Sequence, residues 1–182
     1  MNIVQYYEGT PISPVPNQYY ARCMASVVAY CKAHNIVYSL VKSLPSGVVD
    51  PLGAAGTPAS RSYAFRIAHL AANPDDIYID CDVEITKPII GVTPAIMKTD
   101  KPYVAVNQRG LPAICIMIGN GLPTLFEELQ AAKVEAGQRP AMVWCDHLAA
   151  NPDKWYAIPE GYFNHLHLHS PAIVNVNKAM KK

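Results

Sequence analysis

The first eighty residues alternate between β-type and α-type patterns, and this alternation constrains the fold more than any other feature of the sequence. Three short apolar runs predict strands, at 2–7, 36–41 and 77–79. Apolar residues recur at spacings of three and four over 17–34, and Thr57-Pro58 is typical of a helix start. A β-α-β-α-β order predicts an α/β fold in which a mostly parallel sheet is flanked by helices.

The remainder of the chain continues this mixture of elements. Its patterns predict strands at Pro102–Asn107, Ala113–Ile118, Ala141–Trp144 and Tyr162–His169, and a helix at Pro123–Ala136. The chain has 182 residues, of which 51% are hydrophobic and 16% charged, and this balance excludes a disordered protein. We therefore expect a single domain covering 1–182.

Charge and cysteine content narrow the class of protein. A net charge of +1 gives no strong signal for nucleic-acid or membrane binding. No run approaches the ~20 consecutive apolar residues of a membrane span, and the start of the chain lacks the pattern of a signal peptide. The five cysteines are odd in number and include no Cys-x-x-Cys, which favours reduced thiols in a cytoplasmic protein.

Two carboxylates, Asp80 and Asp82, directly follow the apolar run at 77–79. In an extended chain, residues two positions apart point to the same side, so both carboxylates can converge on one hard divalent cation. The alternative interpretation is a strand end with two solvated acids. The sequence contains neither Gly-x-Gly-x-x-Gly after the first strand nor a Gly-x-x-x-x-Gly-Lys loop, so a metal ion would have to hold any phosphates.

A family resemblance adds to this interpretation. The segments Ala59-Ser60-Arg61-Ser62-Tyr63-Ala64-Phe65-Arg66 and Ile77-Tyr78-Ile79-Asp80-Cys81-Asp82-Val83 resemble the core of GT-A fold glycosyltransferases with a DXD sugar-binding region. Arg66 matches the family's arginine, whereas Tyr63 stands where the family has an aspartate. The pair of glycines usual before the strand is replaced by Pro74-Asp75-Asp76. The resemblance implies a GT-A-like fold, a UDP-sugar donor and Mn²⁺ or Mg²⁺.

Roles for individual residues follow from the expected chemistry and from this resemblance. The donor site would include the first strand end and the DXD region, namely Gln5, Tyr6, Tyr7, Tyr63, Arg66, Asp80, Cys81 and Asp82. Tyr6 or Tyr7 would stack on a uracil ring, or would simply be a strand aromatic. Arg66 would hold a phosphate or a donor hydroxyl, or pair with a carboxylate. Asp146 resembles the acidic position that grips donor sugar hydroxyls, with a helix cap for Leu148 as its alternative.

Three histidines, His165, His167 and His169, alternate near the end of the chain and would point one way on a strand. The stretch from His167 to Pro171 is similar to the late His-x-x-x-Pro of several GT-A enzymes, which implies His167, or His169 as second choice, as a third metal ligand. An exposed polar strand face and a three-histidine zinc site are the alternatives.

The sequence as a whole predicts a small glycosyltransferase that transfers a sugar from a UDP-sugar to an unknown acceptor, with retention of anomeric configuration. The acceptor could be a saccharide, a protein or another molecule, and the short chain leaves room for a homo-oligomer. The same residues would also suit a metal-dependent nucleotidyltransferase, a nucleotide-sugar hydrolase or a non-catalytic nucleotide-sugar-binding module.

Overall fold

The computed structural model describes residues 1–8, 16–53, 56–87, 100–107, 109–135, 137–158 and 160–165. Its strands are β1 (Asn2–Tyr6), β2 (Val37–Val41), β3 (Ile77–Ile79), β4 (Val83–Ile85), β5 (Tyr103–Val106), β6 (Pro112–Ile118), β7 (Tyr156–Ile158) and β8 (Phe163–His165). Its α-helices are α1 (Pro16–Ala33), α2 (Pro58–Ala72), α3 (Thr124–Ala131) and α4 (Pro140–Ala150). Two short 3₁₀ helices lie at Pro152–Lys154 and Glu160–Tyr162.

Six of the strands form one sheet in the order β2-β1-β3-β6-β5-β7. Three neighbouring pairs are parallel (β1 with β2, β1 with β3, β5 with β7), and β6 runs antiparallel to both of its neighbours. Strands β4 and β8 form a separate antiparallel pair. The chain passes from β1 to β2 on one side and then crosses to β3 on the other, so the strand order reverses at β1. The predicted α/β fold with a mostly parallel sheet flanked by helices is confirmed.

The two faces of the sheet bury separate hydrophobic clusters. Alternation along β3 shows the division, because Tyr78 packs with α2, α3 and α4, whereas Ile77 and Ile79 pack with α1 and β4. All three side chains are fully buried. The sheet therefore lies between two helical layers, and its strand ends are the edges at which polar residues can gather. Over the described part of the chain, no helix is both long and apolar enough to cross a membrane.

Helix α2 begins where the sequence predicts. Thr57 and Ser60 form a capping box, in which Ser60 N donates to Thr57 Oγ1 at 3.2 Å and Thr57 N donates to Ser60 Oγ at 2.8 Å. The Ser60 hydroxyl also lies 2.8 Å from Oδ2 of the buried Asp50. These bonds fix the start of the helix, and with it the positions of the residues that follow on its first two turns.

Other elements differ from the prediction. The apolar run at 141–144 was expected to be a strand, but it lies inside helix α4. A run of four apolar residues has no periodicity that could distinguish a helix from a strand. The run is helical because Trp144 and Leu148 are buried on one face of the helix. Helix α3 ends at Ala131, before the predicted end at Ala136. Of the predicted last strand, 163–165 is described as β8, and 166–169 lies outside the described residues.

Gly119 is expected to be required for stability, because its backbone packs directly on the turn before β3. A Cβ atom at this position would lie 2.1 Å from the Pro74 carbonyl oxygen, a backbone atom that cannot move alone. We expect Gly119→Ala to lower the free energy of unfolding by about 1–3 kcal/mol, as other forms of overpacking do. Urea unfolding would measure the change. Gly161→Ala is the matched control, since its nearest added contact is a flexible lysine end at 3.8 Å. Equal stability of the two variants would contradict the prediction.

Candidate active site

A cleft of about 530 Å³ opens at the carboxyl ends of β1 and β3. The described residues that line it are Tyr6, Tyr7, Glu8, Tyr20, Thr57, Pro58, Ala59, Ser62, Tyr63, Arg66, Asp80, Cys81 and Asp82. This is the edge at which α/β sheets bind ligands, beside the strand where the order reverses. The structure therefore brings Tyr6, Tyr7, Tyr63, Arg66 and the Asp80-Cys81-Asp82 segment together, as the sequence predicts.

The local geometry of the two aspartates differs from the expectation. Strand β3 ends at Ile79, and Val83 N donates to Asp80 O at 3.2 Å, which closes a turn over 80–83. Asp80 and Asp82 are thus not successive same-side residues of an extended strand. Both nevertheless line the cleft, because the turn lies at its edge.

Arg66 is the most deeply buried charged residue of the site, with only 1% of its surface exposed. Its guanidinium donates to Asp80 Oδ1 and to the Ile114 carbonyl, and it lies between the rings of Tyr63 and Tyr78 at 4.7 and 4.6 Å. Burial opposes its charge, but the Asp80 carboxylate holds the pKa of Arg66 above its ordinary value. Among the alternatives for Arg66, the structure shows the ion pair with a carboxylate, and that carboxylate belongs to the DXD segment.

The main chain of the Asp80 turn is held from β1. The fully buried Gln5 donates from Nε2 to Asp80 O at 3.1 Å and accepts a hydrogen bond from Tyr38 Oη at 3.0 Å. Cys81 Sγ donates to Tyr6 O at 3.4 Å. Burial, with the charges of the flanking aspartates, raises the pKa of the Cys81 thiol, which therefore stays protonated. Gln5 and Cys81 thus support the turn rather than supplying a nucleophile.

The aromatic side chains of the cleft differ in how their rings are used. Tyr6 is 4% exposed and stacks on Phe65 at a centroid distance of 5.0 Å, so its ring belongs to the core. Tyr7 is half-buried and lies 5.4 Å from the ring of Tyr20 on α1. Burial and the nearby Asp82 charge raise the pKa of Tyr20 to about 12. Of the two tyrosines predicted to stack on a base, Tyr7 is the one whose ring is accessible.

An ion pair at the mouth of the cleft was not predicted from the sequence. Arg61 holds Glu8 with two parallel bonds, from Nε at 2.7 Å and Nη2 at 2.6 Å, and the Tyr6 hydroxyl also donates to Glu8. Hydrogen bonds from Arg61 keep the pKa of Glu8 below its ordinary value. The position of Glu8 just after β1 was the available signal, but its partner lies 53 residues away.

The predicted site residues Asp146, His167 and His169 are not among the described residues of the cleft lining. Asp146 is exposed on helix α4 and is not among the described residues of the cleft lining. Both sequence-based contexts for it, a strand end and a helix cap, are wrong because α4 already begins at Pro140. Its grip on a donor sugar stays a prediction. His167 and His169 lie outside the described residues.

The cleft lining includes two carboxylates, Asp80 and Asp82, that could contact a cation. Within the described ranges, no group of three or more histidine, cysteine, aspartate or glutamate side chains has the arrangement of a metal site. Asp80 and Asp82 are oxygen donors of the type that Mn²⁺ and Mg²⁺ bind, so they fit a site completed by a ligand's phosphates and water. Asp80 is already bonded to Arg66, so a cation at this site would share that carboxylate with a guanidinium.

A solved structure shares the fold. A glycosyltransferase involved in the glycosylation of the major capsid of PBCV-1 is 11% identical, with 100% of both chains covered and a TM-score of 0.60. At this identity the likeness shows the GT-A-like fold alone. Two others have TM-scores below 0.5 and carry no argument. One is a Bacillus anthracis protein described as a glucose-1-phosphate thymidylyltransferase (8% identity, 98% and 94% covered, TM-score 0.47). The other is the glycosyltransferase GlyE of Streptococcus pneumoniae TIGR4 (12% identity, 88% and 46% covered, TM-score 0.46).

The sequence matches no protein-family profile and no curated protein.

Proposed function

We propose that this protein is a metal-dependent glycosyltransferase that uses a UDP-sugar as donor. The observation that carries the proposal is the charge of the cleft. Its described lining holds three carboxylates, Glu8, Asp80 and Asp82, and one guanidinium, Arg66. Arg61 pairs with Glu8 and Arg66 pairs with Asp80, and the three carboxylates still exceed these two guanidinium groups by one negative charge. A diphosphate would be repelled by this cleft unless a divalent cation came with it.

The fold supports a nucleotide ligand in this place. The cleft lies at the strand-order reversal, beside the accessible ring of Tyr7, and its volume suits part of a nucleotide-sugar. In the proposed complex, Tyr7 would stack on the uracil, and Asp80 and Asp82 would hold the cation. The cation, when bound, acts as the Lewis acid that stabilises the departing diphosphate.

The chain's own residues would then orient the donor. During transfer, the bond between the anomeric carbon and the diphosphate oxygen breaks, and a bond to the acceptor oxygen forms. For a retaining reaction, the acceptor proton passes to the leaving diphosphate oxygen, so no dedicated protein base is required. This proton transfer is proposed by analogy with the GT-A enzymes that the DXD segment resembles.

A screen of nucleotide-sugars tests the proposal directly. Calorimetry with UDP-, GDP- and CMP-sugars, each with Mn²⁺, Mg²⁺ or EDTA, should show binding of UDP-sugars only when a divalent cation is present. UDP release should then rise when saccharide or protein acceptors are added. Release that ignores acceptors would favour a hydrolase, and binding without release would favour a non-catalytic module. Binding that is equally tight in EDTA would contradict the metal-dependent mechanism.

The late histidines are proposed to complete the metal site. Strand β8 runs antiparallel to β4, and its last residue, His165, pairs with Val83, the residue after Asp82. His167 follows two residues later in the chain, and this register supports a metal-ligand role for His167 or His169.

At one fixed pH, His167→Ala or His169→Ala should weaken Mn²⁺ binding in the presence of UDP by at least about tenfold, or ~1.4 kcal/mol. Manganese titration followed by electron paramagnetic resonance would measure the affinity. Equal manganese affinity in both variants and in the parent protein would show that Asp80, Asp82, the diphosphate and water hold the cation alone.

A further inference from the structure

Asp80 is held at every main-chain polar group by buried partners. Its N–H donates to the Cys115 carbonyl on β6 at 2.8 Å. Its carbonyl accepts from Gln5 Nε2 at 3.1 Å and from Val83 N at 3.2 Å. The peptide at the end of β3 is thus fixed, and the direction of the Asp80 carboxylate depends only on its side-chain contacts.

Those contacts form a closed ring of hydrogen bonds around one carboxylate oxygen. Tyr78 Oη donates to Asp80 Oδ1 at 2.9 Å, and Arg66 donates to the same oxygen. Ser62 Oγ lies 2.9 Å from Tyr78 Oη and 3.3 Å from Arg66 Nη2. Tyr78 is 0% exposed and Arg66 is 1% exposed, whereas the Asp80 side chain is 17% exposed. The two buried donors therefore hold Asp80 from behind, and its exposed part faces the cleft.

The structure points to Tyr78 as a positioning residue, whose hydroxyl fixes the Asp80 carboxylate in the orientation that binds the metal ion. This inference rests on the proposed function. Phenylalanine would fill the same space between α2 and the sheet, so packing does not account for the hydroxyl. A buried hydroxyl is unfavourable unless it is hydrogen-bonded. This hydroxyl contacts Ser62 and Asp80, both of which line the cleft. Outer groups that orient metal-binding side chains commonly control metal affinity.

The hydrogen-bond geometry makes Tyr78 the donor in its bond to Asp80. An ionised carboxylate oxygen can only accept, so the hydrogen between Tyr78 Oη and Asp80 Oδ1 is that of the phenol. Without that donor, Oδ1 would lose one of the two buried groups that hold it, and the carboxylate plane could turn about the Cβ–Cγ bond.

Tyr78→Phe tests the inference with little change of shape. We expect the affinity for Mn²⁺, measured in the presence of UDP, to fall about tenfold, as it does when other groups that orient metal ligands are removed. Binding of uridine, which carries no phosphate and needs no metal, should be unchanged. Tyr156→Phe is the matched control. Tyr156 lies on β7, the far edge strand of the sheet, and its hydroxyl donates to Asp100 at 3.1 Å. This change therefore also removes a tyrosine hydroxyl that is bonded to an aspartate. This control should bind both ligands like the parent protein.

The possible outcomes separate the inference from the proposed function. If the parent protein does not bind Mn²⁺ with UDP, the proposed function fails and the inference fails with it. If the parent binds and Tyr78→Phe binds equally well per folded molecule, the inference alone is wrong, even if the melting temperature falls. Should Tyr78→Phe not fold, Ser62→Ala removes the second partner of the Tyr78 hydroxyl. It should weaken Mn²⁺ binding by a smaller factor, and unchanged affinity in it would also overturn the inference.

Discussion

Asp82→Ala is expected to abolish the manganese-dependent binding of UDP-sugars while the fold is retained. Asp82 is a carboxylate of the cleft lining, and it lies in the turn after β3. We expect the affinity for UDP with Mn²⁺ to fall by more than about 100-fold. Removing a group that only orients a metal ligand costs up to about 100-fold, and removing the ligand itself should cost more. The free energy of unfolding should change by less than about 1 kcal/mol, since the residue is only half-buried. Calorimetry and urea unfolding would measure the two quantities.

Asp153→Ala is the matched control for this change. Asp153 is exposed in the 3₁₀ helix after α4 and is not among the described residues of the cleft, so the variant makes the same change in net charge elsewhere. Its affinity for UDP with Mn²⁺ should equal that of the parent protein. Unchanged affinity in Asp82→Ala would remove the metal site from the proposed function.

Asp80→Ala is expected to destabilise the protein itself. The substitution leaves the Arg66 guanidinium buried without its carboxylate, and 1% exposure gives it almost no access to water. Breaking a buried ion pair by removal of one partner typically costs about 3–5 kcal/mol of folding free energy. Urea unfolding at neutral pH would measure the loss. The two aspartates of one motif should thus differ, because Asp80 supports the fold and the site, whereas Asp82 supports the site.

The double variant Asp80→Ala/Arg66→Met tests whether the buried, unpaired charge of Arg66 causes this loss of folding free energy. Methionine removes the buried charge and keeps much of the apolar volume between Tyr63 and Tyr78. The double variant should therefore regain part of the stability that Asp80→Ala loses. If the single variant is as stable as Asp82→Ala, the ion pair makes no such contribution.

Elements with a clear period or cap were predictable from the sequence. The capping box at Thr57 and Ser60, the helical stripe over 17–34 and the strand before Asp80 are local patterns, and the structure has each of them. The run at 141–144 has no such pattern, and its helical state depends on burial of Trp144 against α2 and the sheet. Short apolar runs are decided by the surface against which they pack.

The location of the candidate site was likewise predictable from the sequence, whereas its ion pairs were not. The Asp80-Cys81-Asp82 segment and the chain order fix its place at the carboxyl edge of the sheet, because the parallel pairing of β1 with β3 puts their carboxyl ends side by side. The pairing of side chains was not predictable. Arg66 and Asp80 are 14 residues apart, and Glu8 and Arg61 are 53 apart.

By itself, the sequence determined the α/β fold, the start of α2 and the edge of the sheet at which acidic residues gather, because these depend on periodicity and on neighbours along the chain. Only the tertiary structure decided which charges remain in the cleft. Ion pairing depends on distance in space and on burial, and neither is encoded by spacing along the chain. In the folded protein Asp80 is held by the buried Arg66, although it and Asp82 are similar neighbours in the sequence and both line the cleft.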